Sequence, residues 1–226
     1  MTRHGNILNG LIWCCLILFL SSCARINLYS IDMKYVPTKT VTQPQERGER
    51  IDVTVANFVD SRQIEDLVVI GRVVQSDGSS ILVFPKKVKP AEVVTGGIRA
   101  FLSKSGYTVS GNIPVWDLEE KSIQKDWGKL LIGGRIDELE VSCKEITPKK
   151  MYQARVKLTV FFANPRDGKI FYKVSTNSSS SLEHILFSEE RLEEQINGAL
   201  SEAIEKVFEG KELQRKIRDT LERVSP

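Results

Sequence analysis

Few side chains in this sequence are equipped for catalysis. The thiols are Cys14, Cys15, Cys23 and Cys143, and the imidazoles are His4 and His184. A structural zinc site takes four closely spaced ligands, and no Cys/His cluster supplies them. In "LEVSCKEI" Cys143 alternates with Leu139 and Val141, the position of a small hydrophobe facing a core; a catalytic thiol is the alternative. His184, in "SLEHILF", would have to serve any Ser-His-Asp arrangement, and no GxSxG elbow accompanies it. A structural or surface role is its plainer reading. Carboxylates abound, so a glycosidase-like pair stays open, but no spacing selects one. Glu119 and Glu120 are adjacent and would point apart on a helix. Neither GxxxxGK[ST] nor GxGxxG occurs. The expectation is a protein that is not an enzyme and holds no metal or cofactor.

Four residues suit recognition better than reaction. In "FVDSRQ", Asp60 can cap a turn and hold the Arg62 guanidinium in a charge-assisted contact. The alternative is an exposed acid–base pair that meets a ligand or partner. Trp116 and Trp127 flank the charged stretch "DLEEKSIQKD". They pack in a core, or they anchor a docking loop.

The amino-terminal stretch sets the compartment. Arg3 and His4 precede a continuous apolar run, Leu11 to Leu20. That is about half of the roughly 20 residues a membrane-spanning helix needs. It is the length of a secretory hydrophobic region, and small residues follow it as cleavage requires. Leu20-Ser21-Ser22-Cys23 resembles the lipobox of bacterial lipoproteins: leucine, two small residues, then cysteine. The resemblance implies cleavage before Cys23, diacylation of its thiol and acylation of the new amino group. Two or three chains anchor stably because each buried CH₂ adds about 0.8 kcal/mol. An ordinary signal peptide and an uncleaved short anchor are the alternatives. In enterobacterial-type lipoproteins an aspartate after the cysteine favours inner-membrane retention; Ala24 stands there, so the resemblance implies the periplasmic face of the outer membrane.

Removal of residues 1–22 leaves 204, enough for one domain with a sizeable core. One of the 32 basic residues, Arg3, goes with them; 31 then face 29 acidic residues, a formal charge of +2. That balance gives no argument for nucleic acid. With Cys23 committed to lipid, Cys143 has no disulfide partner, so the fold rests on packing.

Periodicity gives the elements that hold these residues. Residues 23–50 read as a lipid-anchored tether, interrupted by Pro37, Pro44 and Gly48, with a short strand near Leu28 to Tyr35 laid against the body. Residues 51–226 read as a single α+β domain. Ile51, Val53 and Val55 alternate as a half-buried strand does. "LVVIGRVV" and "SSILVFP" flank Asp77-Gly78, a hairpin signal. Pro90 opens a helix striped by Val94, Ile98, Phe101 and Leu102; Gly96 and Gly97 inside it predict close packing against the sheet.

"LLIGGRIDELEVSCKEI" changes parity near Asp137 and Glu138, which predicts a bulge. Tyr152 to Phe162 alternates most cleanly, and "NPRDG" turns it back into Ile170, Tyr172 and Val174; "STNSSSSL" ends that hairpin. Ser188 caps a helix striped from Leu192 to Phe208, Gly210 stops it, and Leu213, Ile217 and Leu221 continue on a shorter charged helix. Wet-faced strands and hairpins predict a mainly antiparallel sheet with helices packed on one face.

The series "VTVANFVDSR", "VVIGRV" and "VVTGGIRAFLSKSGYTV" is similar to the YajG-like lipoproteins. The resemblance spans roughly residues 20–210 in short motifs. It implies an outer-membrane-linked periplasmic domain and carries over no catalytic residues. The wider layout also resembles CsgG-type and ABC-transport auxiliary lipoproteins, although no obvious transmembrane hairpin of a pore former is present. The expected function is a lipid-anchored periplasmic binding or accessory protein in cell-envelope assembly or maintenance. It would bind the membrane through the lipid on Cys23 and meet an envelope protein through its sheet edge, wet face and last helix. The alternatives are an auxiliary subunit of an envelope transporter and a carboxylate-dependent envelope hydrolase.

Overall fold

The computed structural model describes residues 28–38 and 51–222. The expected signal peptide, Cys23 and the tether residues 24–27 and 39–50 lie outside them. Nine strands form one sheet: β1 (Tyr29–Ile31), β2 (Asp52–Val55), β3 (Val59–Asp60), β4 (Gly71–Val74), β5 (Ser80–Pro85), β6 (Thr108–Val109), β7 (Leu130–Ile146), β8 (Lys149–Asn164) and β9 (Lys169–His184). The helices are α1 (Pro90–Lys104), α2 (Glu189–Phe208) and α3 (Lys211–Glu222).

The 17-residue β7 is the spine of the sheet. Along one edge it pairs antiparallel with β8 for its whole length, and β8 pairs likewise with β9. Along its other edge three short strands follow in turn: β2 at Leu130–Ile132, β3 at Arg135–Ile136 and β4 at Val141–Lys144. All three run parallel to β7, as do β6 to β2 and β1 to β5. The sheet is therefore mixed, not mainly antiparallel. Alternation identifies a wet face but not the direction of the neighbouring strand. Here the chain passes through α1 before it returns as β7, and a long crossover of that kind makes neighbours parallel.

The β7 bulge falls where the parity change put it: the register shifts between Ile136 and Glu138. The alternating face of β8 is buried at Tyr152, Ala154, Val156, Leu158, Val160 and Phe162. These side chains meet α1, α2 and α3 in one core. A smaller cluster of Ala56, Trp116, Trp127, Leu131 and Ala163 forms separately. The Gly133-Gly134 pair makes room for large rings: a Cβ on Gly133 would lie 2.5 Å from Trp116, and one on Gly134 would lie 2.6 Å from Phe58.

Three local expectations change. β9 does not end at the serines; it runs on to His184. Its inward hydroxyls bond to α2: Thr176 Oγ1 donates to Ala203 O (3.0 Å), Ser178 Oγ to Glu202 Oε2 (2.5 Å) and Ser180 Oγ to Gln195 Oε1. Small hydroxyl side chains let the helix sit close while satisfying its polar groups. The run Leu67–Val69 is loop, not strand, because the Arg62 side chain takes two of its carbonyls. Gly97 does pack closely, but against α2 and the amino-terminal segment: a Cβ there would meet Ile204 at 2.6 Å and Tyr35 at 3.0 Å.

Candidate functional site

Asp60 and Arg62 come together as a side-chain node. Asp60 ends β3 and Arg62 lies two residues on. The carboxylate takes Arg62 Nε and Nη2 in two parallel bonds of 2.8 Å. The other guanidinium hydrogens go to main-chain carbonyls: Nη1 donates to Val69 O (2.9 Å) and Leu139 O (3.1 Å), Nη2 to Leu67 O (2.5 Å). Arg62 therefore uses all five of its donors. Its side chain is 3% exposed and that of Asp60 13%.

This node shapes the loop. Arg62 captures the carbonyls of Leu67 and Val69, which a strand would have given to a neighbour. It ties them to Leu139 beside the β7 bulge. The guanidinium faces inward, and the loop's apolar side chains face out: Ile64, Leu67 and Val68 are exposed, as is Val59 on β3. The surface available for recognition here is that apolar set, held in place by the ion pair beneath it.

Trp116 and Trp127 also share a neighbourhood, in the smaller cluster. Trp116 is 1% exposed and Trp127 7%, and Trp116 Nε1 donates to Glu119 O (3.0 Å). Trp116 meets Phe161 edge-on at 6.5 Å. Neither indole presents its ring to solvent. Cys143 is fully buried, and burial pushes its thiol pKa up.

His184 Nε2 lies 2.9 Å from Arg191 Nη2, which can only donate. Nδ1 lies 3.1 Å from both the N–H and the carbonyl oxygen of Leu186. The ring braces a turn.

A cleft of about 450 Å³ opens over β8 and β9 against α2, lined by Glu138, Arg155, Asn177, Glu202 and Lys206 among others. Its carboxylates are ion-paired: Arg155 holds Glu138 at 2.7 Å, and Lys206 holds Glu202 at 2.8 Å. The carboxylates whose pKa is displaced, Asp77, Asp117, Glu145 and Glu190, are all displaced downward by hydrogen bonds, the first three chiefly by Ser79, Ser122 and Lys150. Among the described residues no group of three or more His, Cys, Asp and Glu is placed to hold a metal ion.

One arrangement goes beyond the expected strand at Leu28 to Tyr35. Residues 30–38 run alongside α2 and are caught by one column of its side chains. Ser30 N–H donates to Glu189 Oε2 (3.3 Å), Asp32 N–H to Glu193 Oε2 (3.2 Å), Lys34 N–H to Asn197 Oδ1 (2.9 Å), Val36 N–H to Ser201 Oγ (2.9 Å) and Thr38 N–H to Glu205 Oε1 (2.8 Å). Every second residue of the segment meets every fourth residue of the helix. The geometry allows it, because two extended residues advance about 6.7 Å and four helical residues about 6.0 Å. Ile31 and Met33 face the core. The signal was present in the sequence as a polar i, i+4 column beside the apolar stripe of α2.

No family model matches the chain, and no curated protein matches it. Among solved structures it is similar to protein XCC0632 from Xanthomonas campestris, of family DUF330, at 10% identity and TM-score 0.49, covering 80% of this chain and 92% of that one. It is also similar to lipoprotein GNA1162 from Neisseria meningitidis, at 11% identity and TM-score 0.39, covering 71% and 99%. The hypothetical protein CT253 from Chlamydia trachomatis gives 12% identity and TM-score 0.40, covering 78% and 96%. Likenesses this distant carry no information about activity or partners. Among the described residues no helix is long and apolar enough to cross a membrane.

Proposed function

We propose that the protein is a non-catalytic, lipid-anchored accessory protein on the periplasmic face of the outer membrane, of the YajG-like kind. It presents the loop 63–69 to an envelope protein. One observation carries this reading: a buried, fully bonded arginine fixes a loop whose apolar side chains Ile64, Leu67 and Val68 stand in solvent. A rigid exposed apolar loop binds at low entropic cost, because its backbone is ordered before the partner arrives. The lipobox-like Leu20–Cys23 supplies the anchor, and the absence of aspartate at position 24 supports the outer membrane.

The test is a photo-crosslinking residue at Val68 in intact cells, with Lys125 as the control position. The expected result is a discrete adduct to one envelope protein, lost when Leu67→Asp is added. Equal, diffuse labelling from both positions overturns the docking reading. Recovery of a transporter subunit moves the reading to the transport-auxiliary alternative. For the anchor, Cys23→Ser should release the protein from membranes; unchanged partition and processing sink it.

A further inference from the structure

Which end of the body faces the bilayer is set by the amino-terminal segment. The column on α2 and the pairing of β1 with β5 hold Tyr29 to Thr38 in place. Only residues 24–27 separate Leu28 from Cys23. Five Cα steps reach at most about 18 Å. The long strands, 16 residues at about 3.3 Å each, extend to roughly 50 Å. A lipid on Cys23 therefore reaches one end of the sheet and not the other.

That end is apolar where it is exposed. Leu28 precedes β1, and the Tyr29 ring lies 4.7 Å from that of Phe187. Just before Phe187 stand Ile185 and Leu186, each 68% exposed; Leu28 is 53% exposed. The β8–β9 register sets Lys150 opposite His184, and the β7–β8 register ends at Ile146 opposite Lys149, so exposed Ile146 joins the same end. The turn at 185–186 is braced. Tyr152 Oη donates to Leu186 O (3.1 Å), and Ser188 N–H donates to Tyr152 Oη (2.9 Å). Two neighbouring lysines are paired, Lys149 with Glu183 and Lys150 with Glu145.

We propose that Leu28, Ile146, Ile185 and Leu186 form a membrane-resting face that inserts at the lipid surface beside the anchor. The contact is apolar and needs no anionic lipid. The inference rests on lipidation of Cys23. Insertion of apolar side chains beside a covalent lipid adds a second membrane signal and fixes orientation. The stapled loop at 63–69 is tied to Leu139, seven residues before the Ile146 end of β7.

The test uses the full chain, matured in cells and reconstituted into phosphatidylcholine vesicles. An environment-sensitive fluorophore is placed at Leu186→Cys, with Val115→Cys, 86% exposed near the start of β7, as control. The buried Cys143 does not compete for label. The expected result is a blue-shifted emission at 186 and at least about twofold more quenching there by a lipid-borne quencher than at 115. Mass measurement of the amino-terminal peptide runs in parallel. An acylated peptide with equal, water-like emission at both positions overturns the membrane-resting face and leaves the anchor standing. A bare thiol at Cys23 overturns both.

Discussion

Two segments are fastened to the body of the protein by side chains, and they are fastened in opposite ways. The amino-terminal segment offers N–H groups, and five side chains of α2 each accept one. The loop 63–69 offers carbonyls, and one guanidinium gathers two of them, together with Leu139 O and the Asp60 carboxylate. The first fastening is distributed along a helix and begins at its solvent-accessible end. The second is concentrated in one buried cation. A distributed fastening loses a fraction of itself with each substitution, whereas a concentrated one fails as a unit.

The largest effect is therefore expected at Arg62. Arg62→Met leaves Asp60 without its cation and frees three carbonyls at once. Removing one partner of a buried pair costs about 3–5 kcal/mol. Urea unfolding should show a loss of that size, with faster amide exchange in residues 63–70. A loss of under about 1 kcal/mol, typical of exposed pairs, would mean that the node holds nothing together.

Next comes Asn197, the middle of the column. Its amide accepts from Lys34 N–H and donates to Asp32 O (3.1 Å), and it is buried. Asn197→Ala should cost about 1–3 kcal/mol, the penalty for buried polar groups left unpaired. Exchange should rise at Lys34 and much less at Thr38. Glu193→Gln, nearer the solvent, keeps an acceptor for Asp32 N–H and should fall within about 0.5 kcal/mol of wild type. If it matched Asn197→Ala, the fastening would be concentrated after all.

How much of this could be read beforehand depends on how local each feature is. The Asp77-Gly78 turn, Pro90 at a helix start, the Ser188 cap and the β7 bulge were legible, because each is written within a few residues. The Asp60–Arg62 contact was legible for the same reason. The carbonyls it binds were not, since Leu139 lies 77 residues away. The serines of β9 read as the end of the hairpin because their polar face has no hydrophobic signature; its partner is hydroxyl-bonded α2. The column on α2 was visible as spacing, but its meaning needed a segment more than 150 residues earlier in the chain.

The gentlest test of the distributed fastening lies at its far end and uses pH. Tyr35 Oη donates to Glu205 Oε1 at 3.2 Å, and Glu205 also accepts from Thr38 N–H. Burial pushes the Tyr35 phenol well above its ordinary 10.0, and the Glu205 carboxylate beside it pushes further. A folded-state pKa above the unfolded one means that the unfolded chain gives up this proton first. The stabilisation is thus complete below about pH 10 and declines as pH rises beyond it. Tyr107 and Tyr152 are raised by burial too, so the whole protein should weaken in alkali. The informative quantity is the difference between wild type and Tyr35→Phe, which should be constant up to about pH 10 and shrink above it. Exchange at Val36 and Thr38 should rise before exchange at β8. Parallel curves for the two proteins would show that the Tyr35 proton is not linked to folding, and the bond from Thr38 N–H to Glu205 would then hold the far end of the column without it.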